Sequence, residues 1–153
     1  MTKNKILYKS LPADMSPHGF KFTKGKWHKI DGKMKICKKG FHASENIIDA
    51  MGYVNAEVLA KVEVRGDFER DEDGTKECWS EMKIVKTYNW TKKDSVSLAI
   101  FSAESVLENY EKEHPNDMCI REAIEAAKKV LKNDTEENRS AAWSAESAAK
   151  SAA

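Results

Sequence analysis

Cysteine is scarce and poorly placed for cross-linking. Cys37, Cys78 and Cys119 are odd in number and far apart, which excludes a disulfide framework and any Cys-x-x-Cys metal or redox motif. They read as buried, inert thiols of a protein expected in a reducing cytoplasm. Apolar runs are short. None approaches the roughly 20 residues that cross a bilayer, so no membrane partner is expected. The N-terminus, Met-Thr-Lys-Asn-Lys, is charged but lacks the apolar region of a signal peptide.

Catalytic signatures are also missing. There is no Gly-x-Ser-x-Gly elbow and no glycine-rich phosphate loop. His18, His28 and His114 stand at no metal-ligand spacing with one another or with a cysteine, so no metal is expected. The acidic run Asp67, Glu69, Asp71, Glu72, Asp73 lacks the order of a calcium loop and reads as a solvated loop.

Arginine is absent from the first third. Residues 1–42 hold eleven lysines against Asp14 and Asp31. Residues 43–81 hold eleven acids against Lys61, Arg65, Arg70 and Lys76, and the remainder is nearly balanced, for a net charge of +1. Such asymmetry suits an acidic partner. The plainer reading, that basic strands face an acidic segment within one fold, is favoured because bidentate recognition of phosphates or bases prefers arginine.

What is present fits an ordered domain. In 153 residues, 41% are hydrophobic and 33% charged, the balance of a globular chain rather than a disordered one. Ile6–Lys9 reads as a short strand, and Leu11-Pro12 and Ser16-Pro17-His18-Gly19 break the chain. Phe20-Lys21-Phe22 alternates like a strand. Asp31-Gly32, between the runs Trp27–Ile30 and Lys33–Cys37, predicts a type I′ hairpin. Gly40 and Phe41-His42-Ala43 follow. Ser44 is the expected cap of a short helix bearing Ile47, Ile48, Met51 and Val54 on one stripe. A strand over 56–64 is expected to stop at Gly66. A second, over 81–90, shifts phase after Ile84 as a β-bulge would.

From Thr91 the period changes from 2 to 3.6. Thr91 and Asp94 form a capping-box pair for a helix to about Glu113, with Ala99, Ile100, Ala103, Val106, Leu107 and Tyr110 on its apolar face. Asp117 caps a second helix that ends at Asn133. A third starts near Asp134. It carries Ser140, Ser144, Ser147 and Ser151 on one side, consistent with an 11-residue repeat that is either at its natural end or truncated, with a face open to self-association. Strands first and helices after them define the α+β class: a sheet of about six strands with one short helix, then two or three C-terminal helices. The expected divisions are a β-rich domain over 1–90, a helical pair packed on it over 91–133, and an Ala/Ser-rich helical tail over 134–153.

Three groups of residues are candidates for function. His42 follows Gly40 and precedes a helix start. With Lys38, Lys39, Gly40 and Ser44 it reads as an anion-binding turn, or more plainly as a histidine that fixes the turn. Phe20, Phe22 and Trp27 among Lys21, Lys24 and Lys26 could stack single-stranded bases over a basic track, though such rings are more often sheet core. Cys37 and His42 are close in sequence, but a nucleophile and base need a spatial geometry that spacing cannot supply, and Cys37 reads better as a strand residue of the hairpin.

The order Leu7-Tyr8-Lys9, Gly19-Phe20, Gly25-Lys26 and Cys37-Lys38-Lys39-Gly40-Phe41-His42-Ala43 resembles a family of small phage and prophage proteins with a Tyr-Lys-Gly-Phe start and a Gly-Phe-His-Ala segment. Ser10 stands where that start has glycine. The resemblance covers roughly residues 6–90, and the Ala-Ser tail is similar to tails on phage-borne proteins. It implies a mobile-element origin. The expected role is that of a non-enzymatic accessory protein in the bacterial host's cytoplasm, binding a host protein or ribonucleoprotein complex and inhibiting a defence system such as CRISPR, with no cofactor. The order of Tyr8-Lys9, Gly40 to Ser44, a short helix and a strand also resembles ADP-ribosyltransferase folds. That likeness implies an NAD enzyme with Tyr8, His42, Ser44 and Glu81 in its cleft. Nucleic-acid binding through the lysine and aromatic residues is a third expectation.

Overall fold

The computed structural model describes residues 4–52 and 56–152, with side chains up to Ser144. The chain divides into two compact units, Met1–Trp90 and Thr91–Ala153. The first unit is an antiparallel sheet of five strands: β1 (Lys5–Leu11), β2 (Trp27–Lys29), β3 (Phe41–Ala43), β4 (Val58–Arg70) and β5 (Glu77–Asn89). A 3₁₀ turn at Pro17–Gly19 and the short helix α1 (Ile47–Met51) complete it. The second holds α2 (Lys92–Glu113), α3 (Cys119–Lys132) and α4 (Glu136–Ala152). The α+β class with C-terminal helices is as expected, on five strands rather than about six.

β4 and β5 are the spine of the sheet. Val58, Ala60, Val62 and Val64 on β4 and Trp79, Met82 and Ile84 on β5 share one core with Leu7, Leu11, Phe22, Phe41 and Ala43. The phase shift after Ile84 is a bulge: Lys61 pairs with Lys86 but Val62 with Ile84, leaving Val85 over. β5 then offers one edge to β4 and the other to β3 and β2 in succession. Ser44, directly after β3, exchanges both backbone hydrogen bonds with Tyr8 of β1 at 2.8 Å each. The ladder path β1–β4–β5–β3 therefore returns to its first strand.

Four local expectations are corrected. Asp31-Gly32 does not make a hairpin: β2 pairs with β5 instead. Lys33–Cys37 leads into a tight turn closed by Lys35 and Lys39, with Cys37 at φ +60° and exposed. Phe20–Phe22 is irregular, because Phe22 is anchored in the core while Phe20 packs on Phe22, His28 and Phe41. Ser44 caps no helix. Its backbone is paired with Tyr8, and Asn46 is the cap, accepting from the Asp49 amide at 2.9 Å. Gly66 does not stop β4. At φ +88° it forms a second bulge where a β-carbon would lie 2.2 Å from the Ser80 hydroxyl. The expected continuation of the α1 stripe to Val54 lies outside the described residues.

In the helical unit Thr91 and Asp94 form the expected capping box. α2 and α3 run antiparallel, joined by Arg121 with Glu111 and Lys128 with Glu104. Asp117 accepts from the Cys119 amide at 2.9 Å and from the Tyr110 hydroxyl at 2.8 Å, fixing the turn between them. Ile100 and Ile124 are buried between the helices, but Val106 is exposed, because it falls off the stripe that Ile100, Ala103, Leu107 and Tyr110 define. Thr135 accepts from the Asn138 amide to start α4, which packs on α3. The serine positions expected at 147 and 151 lie outside the described side chains.

Candidate functional site

Gly40 sets the entrance of β3. Its φ is +141°, and a β-carbon there would lie 2.3 Å from the Cys78 sulfur. The turn thus lies directly on β5, and Phe41, His42 and Ala43 enter in register with Trp79, Cys78 and Glu77. His42 accepts from the Cys37 amide at Nε2, 3.0 Å away, which pins the left-handed turn and places the ring proton on Nδ1. Across the sheet, Lys9 of β1 donates to the His42 carbonyl at 2.8 Å.

These contacts frame a pocket of about 240 Å³. Tyr8, Lys9 and Ser10 of β1, His42 to Ser44, Cys37, Ala50, Lys76 and the 3₁₀ turn at Pro17-His18 line it. Among the described residues no carboxylate does. Burial pushes the His42 imidazole down to about 4, and the charges of Lys9, Lys76 and His18 push the same way, so the ring is neutral at pH 7. Burial likewise lowers the Lys9 ammonium to about 8, leaving it mostly protonated at neutral pH.

The acids of this region are neutralised separately. Glu77 is 1% exposed. It accepts from Lys5 (2.6 Å), Arg70 (2.6 Å) and the Trp79 indole (2.9 Å). Burial works to raise its carboxyl, but these bonds outweigh it and hold it below the usual value. Glu45 joins the same two cations. The Cys78 thiol is pushed up to about 11, chiefly by burial, and is inert.

Of the expected site residues, Tyr8, His42 and Ser44 meet in the pocket. Glu81 does not: it is held by Arg65 at 2.8 Å and faces Lys29. Lys38 and Lys39 are exposed and, like Gly40, are not part of the lining. Phe22 is core, and Trp27 lies against the Arg65 guanidinium at 4.0 Å and the Lys83 ammonium at 5.0 Å. The rings and Lys21, Lys24 and Lys26 therefore do not form one open stacking face. Lys9, named beside Tyr8 in the sequence, joins them, and His18 and Lys76 join the pocket from two further segments without a local sequence signal. Among the described residues no group of three or more metal-ligating side chains is assembled, and no helix is long and apolar enough to cross a membrane.

The helical unit carries a second concavity. A groove of about 640 Å³ runs between α2, α3 and α4, floored by Ile100, Ile120, Ile124 and Val130 and flanked by Trp143. Trp143 is 72% exposed. Lys92 and Arg139 are the ionisable groups that line the groove among the described residues.

The first unit is thus a small antiparallel sheet domain, closed by the Tyr8–Ser44 pair and carrying a cationic pocket. The chain belongs to the family described as a domain of unknown function (DUF7666), whose model matches residues 5–93. No curated protein matches the chain, and no solved structure does.

Proposed function

We propose that this is a non-enzymatic binding protein that engages a host protein through its helical unit. The observation that carries the reading is the open groove between α2, α3 and α4, apolar along its floor and bordered by an exposed Trp143. Contiguous apolar surface of this kind marks protein interaction sites, and an exposed tryptophan beside it is a usual anchor. Alanines at 99, 103, 123, 127 and 142 keep the groove open. A partner segment would present an apolar face, with an acidic group toward Lys92 and Arg139. Phage or mobile-element origin, action in the bacterial host's cytoplasm and a defence complex such as a CRISPR ribonucleoprotein as target rest on the sequence resemblance. The ADP-ribosyltransferase alternative needs Glu81 at the pocket, and Glu81 is held elsewhere by Arg65.

The test is a pull-down from host lysate with the full chain and with an Ala123→Arg variant of unchanged helical content. The expected result is a stoichiometric protein that the native chain retains and the variant loses. Equal recovery by both, or no stoichiometric partner, would sink the proposal.

A further inference from the structure

The geometry points to the lysine-rich edge of the β unit as a surface that holds the phosphate backbone of a nucleic-acid duplex. It stands on observations separate from the helical groove. From Gly25 to Gly40 the chain runs along the edge of β5 opposite β4. The Gly25 amide donates to the Ile84 carbonyl at 2.9 Å, β2 pairs with Lys83 to Glu81, the Ile30 amide donates to the Ser80 carbonyl at 3.0 Å, and Phe41 enters opposite Trp79. Residues 84 to 79 of an extended strand span roughly 17 Å. Strung along that line are Lys24, Lys26, Lys33, Lys35, Lys38 and Lys39, all exposed. Among the described residues none of these six is joined in an ion pair. Glu81 is taken by Arg65 and Lys29, Glu63 by Lys83, and Glu45 and Glu77 by Lys5 and Arg70. Asp31, within the stretch, and Glu69, which accepts from the Ile36 amide at 2.7 Å, do not cancel six cations. The edge therefore keeps a net positive field.

Two features select the partner. Lys35 and Lys39 are bridge partners across a tight turn, with Lys38 between them in the chain. Like charges set directly opposite repel, so the free turn carries a cost that a polyanion laid along it relieves. The edge also lacks apolar anchors. Met34 is buried, Trp27 and Ile30 are half-buried, and no large hydrophobic side chain is exposed between Lys24 and Lys39. Protein interfaces are built round an apolar centre, and single strands bind by stacking on open rings. Trp27 instead lies against the Arg65 guanidinium at 4.0 Å. A duplex asks for neither, since its bases are already paired and its phosphates face outward. Lysine without arginine suits this use: point charges follow a phosphate track without reading base edges. At about 3.4 Å of axis per phosphate on one strand, the edge passes about five phosphates.

The experiment is a fluorescence-anisotropy titration of a labelled, mixed-sequence DNA duplex of about 20 base pairs with the full-length protein, between about 50 and about 200 mM salt. An RNA duplex, a DNA single strand, polyglutamate, and vesicles of phosphatidylserine and phosphatidylcholine are parallel arms. The logarithm of the binding constant should fall against that of salt with a slope of about −4, from about five phosphates at about −0.9 each. The tighter of the two duplexes identifies DNA or RNA as the source. Lys35→Gln with Lys39→Gln should make the slope shallower by about 2 and leave the free protein at least as stable, since a repulsion is removed. Lys24→Gln with Lys26→Gln repeats the test at the other end of the edge. Lys129→Gln with Lys132→Gln takes the same charge from exposed positions of α3 and should leave the slope unchanged. A slope shallower than about −1, an equal change in the α3 variant, or binding of the single strand, polyglutamate or vesicles as tight as the duplex would overturn the assignment. A negative result here leaves the host-protein reading standing, and loss of that reading leaves this surface untouched.

Discussion

Glu77→Gln removes one charge from the most connected buried group in the β unit and keeps its shape. The carboxylate lies on β5 and receives Lys5 from β1, Arg70 from the end of β4 and the Trp79 indole from its own strand. It therefore ties three strands at the corner where β3 joins β1. Breaking one partner out of a fully buried ion pair costs roughly 3–5 kcal/mol. Here the Lys5 and Arg70 side chains retain 37% and 42% exposure, so water takes up part of their lost partner, and about 2–3 kcal/mol is expected. The folded-state carboxyl titrates below its ordinary 4.5. Its stabilisation is thus present above that value and is lost as pH falls through the lower, folded-state value. The gap between native and variant should accordingly be largest near neutrality and close in acid, where Glu77 is protonated in both states. Urea unfolding followed by tryptophan fluorescence in a Trp143→Phe background reads the β unit through Trp27, Trp79 and Trp90. A gap under about 1 kcal/mol at pH 7 would refute the reasoning, since even one net charge-assisted bond exceeds it. So would a gap that stays constant from pH 7 to pH 3.

Gly40→Ala combines an unfavourable φ with a contact 2.3 Å from the Cys78 sulfur and should cost about 3 kcal/mol. Cys78→Ala in the same chain should relieve part of it, a coupling that a double-mutant cycle measures. Thr91→Ala breaks the capping box of α2 and should cost about 1 kcal/mol, read in the helical signal at 222 nm. Exposed Cys37 should react with a thiol reagent within the native state, whereas buried Cys78, with its thiol held near 11, should react only on unfolding. Mass mapping of the labelled peptides separates the two.

Features encoded within a few residues were legible in the sequence. The Thr91–Asp94 capping box needs only its own turn to form. The Val85 bulge announced itself as a slip in alternation. Features set by distant partners were not. Asp31-Gly32 has the composition of a hairpin turn, but β2 gains more from pairing with β5 about fifty residues away, next to the buried Met82 and Ile84. Gly66 has the composition of a strand end, and its positive φ instead absorbs an extra residue opposite Ser80. Part of the pocket was visible, because Tyr8, Lys9, His42 and Ser44 belong to the motif-like segments. His18 and Lys76 were not. One sits in a Pro-Gly break and the other ends an acidic stretch, and only the closure of β3 onto β1 brings them together.

His42 was expected either to bind a ligand or to hold its own turn. Nε2 accepts from the Cys37 amide, and the residue lines the pocket. The turn-holding role can be isolated by pH. Burial, then Lys9, Lys76 and His18, lowers the ring from 6.5 to about 4. Between those values the unfolded chain binds a proton that the folded chain does not, so stability falls as pH drops across that window. Allowing for solvent screening at an open pocket, the loss should be about 1–2 kcal/mol. Glutamine at 42 keeps a side-chain acceptor for the Cys37 amide and cannot titrate. His42→Gln should therefore lose this pH dependence while keeping most of the neutral-pH stability. The Glu77 effect begins below 4.5 and is common to both proteins, so it cancels in the comparison. Identical stability–pH slopes for native and His42→Gln between pH 6.5 and pH 4 would show that the ring is not held neutral. The network of Lys9, Cys37 and His42 would then not be the element that fixes the pocket.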